Sequence, residues 1–504
     1  MDTSTKYDII TMGAGMAASI LVINILRERP GTRVAMIEQS TEFPKKVGES
    51  FSDVTAIFFN RFKVDHILKR QQRKTGLRFI FHDEATRKIT DASDYSSPSI
   101  LSLANGFQVN RSTFDNDLLA YAQELGADVL RPAQVIDFNY SAFNSQVTVK
   151  MGEEIKTLHA TWLIDSSGRQ GIVTKKWNWR LPANQLMTAS SWAHFENVKK
   201  ISSIDGHKSI HWDTWCIGDR HYATTHFMGE GYWVWTIPLS DNTVSIGIVY
   251  DQRILKTNGK HPKDFFFEFI KNHPSLGELT SDAKGTGFKH YPHLPYTSRK
   301  YREPGLALIG DAAAFVDPLF SPGMEFNSQQ SLWLAPLILD HLKTGHYCER
   351  SWMKYEKIFS QAFEDRILLY EKRYALMGDQ ELYGLMTQLD FAGYYTFVIH
   401  PSIVFPKLLK YPARFNPVIR PFYNWFRNRM LFLYWKRKEL GITTKANYKK
   451  KTFSFARVPS RPYIYFYAHF LSFLWLTRYV RMELAYLFHT VAFFFPRRIK
   501  NEFT

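Results

Sequence analysis

The sequence predicts an α/β protein. A three-layer, Rossmann-like nucleotide-binding domain covers residues 1–185 and 286–345, a β-sheet domain is inserted at 186–285, and a helical, basic and aromatic region fills 346–504. Three observations carry this reading. A strand pattern at the N-terminus runs into a glycine-rich turn and then a helical pattern. Two further strand patterns, far down the chain, end in aspartate and small residues. Between them an alternating aromatic run reads as sheet.

Residues 7–12, YDIITM, form the first strand pattern, and GAGMAASILVINIL then turns helical. Gly13, Gly15 and Ala18 therefore sit between a strand and a helix. Gly13 permits the tight turn, Gly15 lets a pyrophosphate approach the backbone, and Ala18 lets helix and strand pack closely. The helix N-terminus offers free N–H groups and the positive end of its dipole to phosphate. The next strand pattern, RVAMIE, ends at Glu38, whose carboxylate is placed to accept ribose hydroxyls.

FQVNRSTFDNDLLAYAQELGADV (107–129) reads as a strand and an amphipathic helix, with Arg111 at the helix start as a cofactor contact or a helix-end charge. ATWLIDSSGRQG (160–171) is a strand ending at Asp165, and GLALIGDAAAF (305–315) is a strand ending at Gly310 and Asp311. Small residues at both ends let loops lie against an extended cofactor, and Asp311 can accept from a ribityl hydroxyl. A late Gly-Asp suits FAD rather than NAD. The inserted domain contains GYWVWTIPLS (231–240), where strand alternation puts Trp233 and Trp235 on one face and Pro238 ends the strand.

These segments resemble the FAD-dependent aromatic hydroxylase superfamily, and Trp-x-Trp-x-Ile-Pro resembles the flavin-dependent, tryptophan halogenase-like family within it. KKVGESFSD (45–53) matches that family's Val-Gly-Glu-Ser loop, with Gly48, Glu49 and Ser50 beside the flavin ring. RKTGLRF (73–79) matches the segment with its catalytic lysine, here Lys74. The resemblance covers about residues 5–345. It implies FAD as cofactor and halogenation of an electron-rich aromatic with reduced FAD, O2 and halide. Trp233, Trp235, Pro238 and Phe320 would separate substrate from flavin. No second glycine triad follows a strand (GTG at 285–287 lacks that context), so reduced flavin is expected from a separate reductase.

The segment GDAAAFVDPLFSPGMEFN (310–327) departs from that pattern twice. Relatives acting on free tryptophan carry glutamate after Asp-Pro-Leu; Phe320 stands there, which points to a phenol or pyrrole type of substrate, free or carrier-bound. The family's halide site of Ser321, Pro322 and Gly323 depends on N–H groups at the last two positions, and proline has none. A lost charge-assisted hydrogen bond is worth roughly 1.5–3 kcal/mol. An FAD monooxygenase or oxidoreductase without a halide site is therefore the alternative reading.

The formal net charge is +17, and it is localised: residues 401–504 hold 20 Lys and Arg against 3 Asp and Glu, leaving 44 of each sign in the first 400. With its dense aromatics this tail reads as a helical domain with a solvated basic face, as a membrane-surface element, or as a surface for an acidic partner such as an acyl carrier protein. Its apolar stretches near Tyr463–Thr477 and Leu484–Phe495 are shorter than the ~20 residues a spanning helix needs. No motif accompanies the charge to suggest nucleic acid. Two cysteines, Cys216 and Cys348, exclude a disulfide framework, and His207 and His211 lack a third ligand for a metal site. The N-terminus leads straight into a strand pattern, so a cytoplasmic chain is expected, in peripheral contact with the membrane if the tail is a surface element.

Overall fold

A computed structural model describes residues 6–82, 89–95, 106–201, 219–412 and 419–439, with positions 476, 479, 480, 483 and 484. His207, His211, Cys216 and most of the tail lie outside the described residues. Among those described, no helix is long and apolar enough to cross a membrane, and no group of His, Cys, Asp and Glu is set to hold a metal ion.

An eight-stranded sheet forms the nucleotide-binding half. Its parallel core runs Leu306–Leu308, Glu154–Asp165, Lys6–Met12, Val34–Ile37, Asp128–Leu130. Val34–Ile37 and Leu306–Leu308 are buried at every position, as strands covered on both faces must be. The helices Met16–Glu28 and Gly323–Thr344 pack so closely that Ser331 Oγ donates to the Ile20 carbonyl at 3.5 Å. Met12 pairs in register with both Ile37 and Asp165, and Asp165 with Leu308. The carboxyl ends of four strands therefore converge, and the loops leaving them lie side by side, where open α/β sheets bind ligands.

A seven-stranded sheet stands beside the first. Its order is Lys284–Tyr291, Thr188–Glu196, Val244–Asp251, Tyr232–Pro238, Thr224–Gly229, Leu77–His82, Ile89–Tyr95. It reaches beyond residues 186–285, because Leu77–His82 joins Thr224–Gly229 in parallel and extends the sheet. This pairing brings the segment just after Lys74 against the inserted strands. The helices Glu349–Tyr370 and Gln380–Tyr394 then pack over the junction of the two sheets, and Ile419–Glu439 packs on Gln380–Tyr394. Tyr383 and Phe391 place their rings 5.8 Å from Phe79 and 5.6 Å from Phe320, and Tyr394 accepts the Val54 N–H at 3.3 Å.

Candidate active site

The converging strand ends open into a cavity of about 570 Å3. Gly13 leaves the first strand at φ +108°, and a Cβ there would lie 2.6 Å from the Ser166 carbonyl oxygen, so only glycine lets the two loops pass. Gly15 differs: a Cβ there meets nothing nearer than Lys46 Nζ at 3.9 Å, because the position faces the cavity. Glu38 closes the adjacent wall, accepting from the Ala14 N–H at 3.3 Å and from Ser40 Oγ at 2.7 Å.

Opposite these loops is a charged cluster. Arg111 forms a fork with Asp115 at 2.8 and 2.9 Å and donates to the Val47 carbonyl at 2.9 Å. Lys46 Nζ lies 2.7 Å from the same Asp115. Burial opposes ionisation of Asp115, but Arg111 and Lys46 outweigh it and hold the carboxyl below its ordinary range. Asp311 faces the cavity from Gly310–Ala312; burial raises its carboxyl, against the pull of Arg169 and Arg111. Glu49 is 2% exposed, bonds His194 at 2.6 Å through one oxygen, and leaves its other oxygen buried without a partner. Lys46 and Arg169 lie inside the segments KKVGESFSD and ATWLIDSSGRQG but carry no signal of their own there, and His194, the partner of the expected Glu49, is supplied by a strand without a motif around it.

The residues present fit an extended dinucleotide such as FAD: a cradle that a Cβ would fill at Gly15, basic side chains around it, and an orphaned acceptor at Glu49. Not every expected contact reaches the cavity. Ala18 is buried against the sheet, and Asp165 directs its carboxylate at the Ser167 and Val173 N–H groups, at 3.1 and 2.8 Å. Asp165 thus fixes the turn after its strand and does not line the cavity.

The far wall is aromatic. Trp233 and Trp235 share a face with ring centroids 5.7 Å apart, and both line the cavity, joined by Trp192 from Thr188–Glu196, one strand beyond their neighbour Val244–Asp251. Gly247 makes room for them: a Cβ there would lie 2.2 Å from the Trp235 ring. Trp235 Nε1 donates to Ser245 Oγ at 3.1 Å. Trp233 Nε1 donates to Tyr374 OH at 3.1 Å, and Tyr374 OH donates to Asp317 at 2.7 Å. Burial pushes the Asp317 carboxyl up to about 6, and raises the Tyr374 phenol well above its ordinary value. Pro238 is buried at the strand end, away from the cavity.

Asp317 opens the turn, and its other oxygen accepts the Leu319 N–H at 3.0 Å. Phe320 and Ser321 both have left-handed backbones, φ +66° and +58°. Phe320 turns away from the cavity, 6.2 Å from Phe79, with the Arg373 guanidinium 5.5 Å over its ring. The Ser321 N–H is committed to the Pro318 carbonyl at 2.9 Å. Pro322 is the N-cap of Gly323–Thr344, so Gly323 and Met324 are the first residues whose N–H groups have no acceptor within the helix. Ser321, Pro322, Gly323 and Met324 all line the cavity.

Lys74 lies behind this wall. It is 4% exposed and does not line the cavity, but its Nζ donates at 2.8 Å to Ser50 Oγ, which does. Burial lowers its ammonium to about 8, with Asp53 acting in the opposite sense. His226 adjoins both spaces: it lines the cavity, stacks on Phe79 at 4.6 Å, lies 5.4 Å from the Trp233 ring, and is held neutral by burial, at about 3.

A doubly wound sheet with this cradle at its strand ends has the build of an FAD-dependent oxidoreductase. The chain belongs to the tryptophan halogenase family, whose model matches residues 80–376. A flavin-dependent halogenase, chlA, of Dictyostelium discoideum is 29% identical over 360 residues, covering 64% of this chain and 59% of that protein. A chlorinase of pyrrole-2-carbonyl on a peptidyl-carrier protein, from Pseudomonas fluorescens, is 24% identical over 69% of this chain and 79% of its own length. Among solved structures, halogenase PltM in complex with phloroglucinol and FAD superposes with a TM-score of 0.75 at 18% identity, covering 88% of this chain and 94% of that one.

Proposed function

We propose that this protein is a flavin-dependent halogenase of electron-rich aromatics, of phenol or pyrrole type, drawing reduced FAD from a separate reductase. The observation that carries the reading is the bond from buried Lys74 to Ser50, a residue of the cavity wall. Bound reduced FAD, with O2 and halide, supplies the electrophilic halogen. The protein supplies the rest. The amides of Gly323 and Met324 and the Ser321 hydroxyl hold the halide with one donor fewer than a residue other than proline at 322 would give. Trp192, Trp233 and Trp235 exclude water from the oxidant. Ser50 and Lys74 receive the halogen and present it to the ring. An ammonium near 8 serves this at neutral pH, because both its protonated and free forms are then accessible. Phe320 favours a ring activated by its own heteroatom. The phloroglucinol in complex with PltM and the pyrrole-2-carbonyl group of the chlorinase are both rings of this chemical kind.

The test is product formation with FAD, a reductase, chloride or bromide and a panel of phenols, read by isotope pattern. Halogenated product is expected, with halide half-saturation falling about tenfold in Pro322→Ser as an N–H is restored. Halide-independent oxygenated product from the wild type would overturn the reading.

A finer proposal is contact of the C-terminal region with anionic membrane. Its support is the localised charge and the helix Ile419–Glu439, which exposes Phe422, Trp425 and Trp435 beside Lys436. Flotation with anionic vesicles, and not with neutral ones, is the expected result; equal binding to both would end it.

A further inference from the structure

Pro322 leaves the 317–323 turn one backbone donor short, and a neighbouring helix brings a cation beside it. The helix Glu349–Tyr370 is fixed to the turn where Tyr370 OH donates to the Leu319 carbonyl at 2.6 Å. One helical turn earlier, on the same face, stands Arg366. Its guanidinium meets the first turn of Gly323–Thr344 at two residues. Nη2 lies 3.4 Å from Glu325 Oε1, and the group sits 5.3 Å from the centre of the Phe326 ring. Glu325 and Phe326 follow Pro322 at the three- and four-residue spacing that puts side chains on one helix face. Arg366 therefore packs on the face that begins at Pro322. It lines the cavity together with Ser321, Pro322, Gly323 and Met324.

This guanidinium has donors to spare. The side chain is 13% exposed, and its Nε is buried without a hydrogen-bond partner. The bond to Glu325 is long, and the same Oε1 also accepts from Gln329 Nε2 at 3.3 Å. Burial raises the Glu325 carboxyl against the pull of Arg366, so the pair does not fully offset the loss of water around it. Among the described residues, the other basic side chains of the cavity wall are committed elsewhere. Lys46 and Arg111 share Asp115, and Arg169 donates to the His293 and Leu294 carbonyls at 2.7 and 3.3 Å. Arg373, over the Phe320 ring, is paired with Asp390 and does not line the cavity.

We propose that Arg366 is a halide ligand: it supplies, from a second helix, the charged N–H donors that answer for the amide missing at Pro322. A charge-assisted donor holds an anion more strongly than a neutral amide does, and the planar fork can serve Glu325 through one edge and the halide through another. The inference rests on the halogenase reading, and the experiment separates the two.

The full-length protein with FAD bound is titrated with chloride, and binding is read from the chloride NMR line width, which needs no turnover. Flavin fluorescence titration gives the FAD affinity of each variant. Arg366→Gln should weaken chloride binding by about tenfold or more, with FAD affinity kept. Arg366→Lys keeps the charge and should retain part of the binding. Glu325→Gln removes the competing carboxylate and should strengthen chloride binding, an effect that a merely structural ion pair would not produce. Should Arg366→Gln not fold with Glu325 stranded, the double variant Arg366→Gln/Glu325→Gln is compared with Glu325→Gln, and the same weakening is expected. Unchanged chloride binding in Arg366→Gln, a loss of FAD affinity in its place, or Glu325→Gln no tighter than wild type would overturn the proposal. If the wild type binds no halide, the halogenase reading fails and this inference with it. Saturable binding that Arg366→Gln leaves intact removes Arg366 alone.

Discussion

In the cradle at the strand ends, every functional position lies within a few residues of the strand or helix that sets it. Gly13 follows its strand, Gly15 precedes its helix, and Gly310 and Asp311 follow Leu306–Leu308. Around Lys74 the reverse holds. Ser50 and Asp53 come from one loop, Gly106 from a second, His226 from the inserted sheet, and Phe391 and Tyr394 from a helix more than 300 residues away. The two spaces share the Ser50 wall. The difference teaches that a nucleotide cradle is a local backbone device, whereas the proposed reactive chamber is a product of packing. A substitution in the cradle should act through the cofactor, and one in the chamber through the fate of the halogen.

Lys74→Ala gives the largest effect. Halogenated product should fall by about 100-fold or more, while reduced FAD is still reoxidised by O2. Oxygen uptake and product mass measured together check this, and parallel loss of both would make Lys74 a structural lysine and erase the distinction between the two spaces.

Gly15→Val tests the other side. The position opens to the cavity, so a valine should leave the fold intact and weaken FAD binding by at least about tenfold, or 1.4 kcal/mol. Flavin fluorescence titration gives the affinity and a thermal melt reports the fold. Unchanged affinity would remove Gly15 from the cradle. A much lower Tm of the apoprotein would instead place it with Gly13, where a side chain collides with backbone.

Tyr374→Phe sharpens the boundary itself, since Tyr374 ties Trp233 to Asp317. The Asp317 carboxyl is raised to about 6 by burial, above the ordinary ~3.9 of an unfolded chain. Its contribution to stability is therefore fully present below about pH 4 and is lost as pH rises through 6. Tyr374 offsets that loss by donating to the ionised form. Without the hydroxyl, the deficit of the variant should grow by about 1 kcal/mol or more between pH 5 and pH 8. Urea unfolding at the two pH values measures it. An equal deficit at both would mean that the hydroxyl does not serve the carboxylate.

The expected Arg111, Glu38 and Asp311 all line the cavity, because each terminates or begins a regular element and its side chain follows from that element's geometry. Trp233 and Trp235 were legible for the same reason: alternation along a strand is a two-residue rule. Asp165 shows the limit. A strand-end aspartate next to small residues looks identical whether it faces a ligand or pins its own turn, and here it pins the turn. Phe320 shows it again, since two consecutive left-handed residues swing its ring toward Phe79 and Phe391 rather than into the cavity.

The sequence by itself determined the α/β class, the glycine turn and the paired tryptophans, because each is written in contiguous residues whose spacing is dictated by strand, turn or helix geometry; the lysine segment was legible only through its resemblance to the halogenase family. Only the tertiary structure decided that Gly106 lies against Lys74, that Tyr374 joins Trp233 to Asp317, and that Glu49 meets His194 with one oxygen left over. These contacts join segments tens to hundreds of residues apart. Their formation depends on how two sheets and a helical cap pack together, and that arrangement is set by the burial of apolar surface across the whole chain rather than by any local pattern within it.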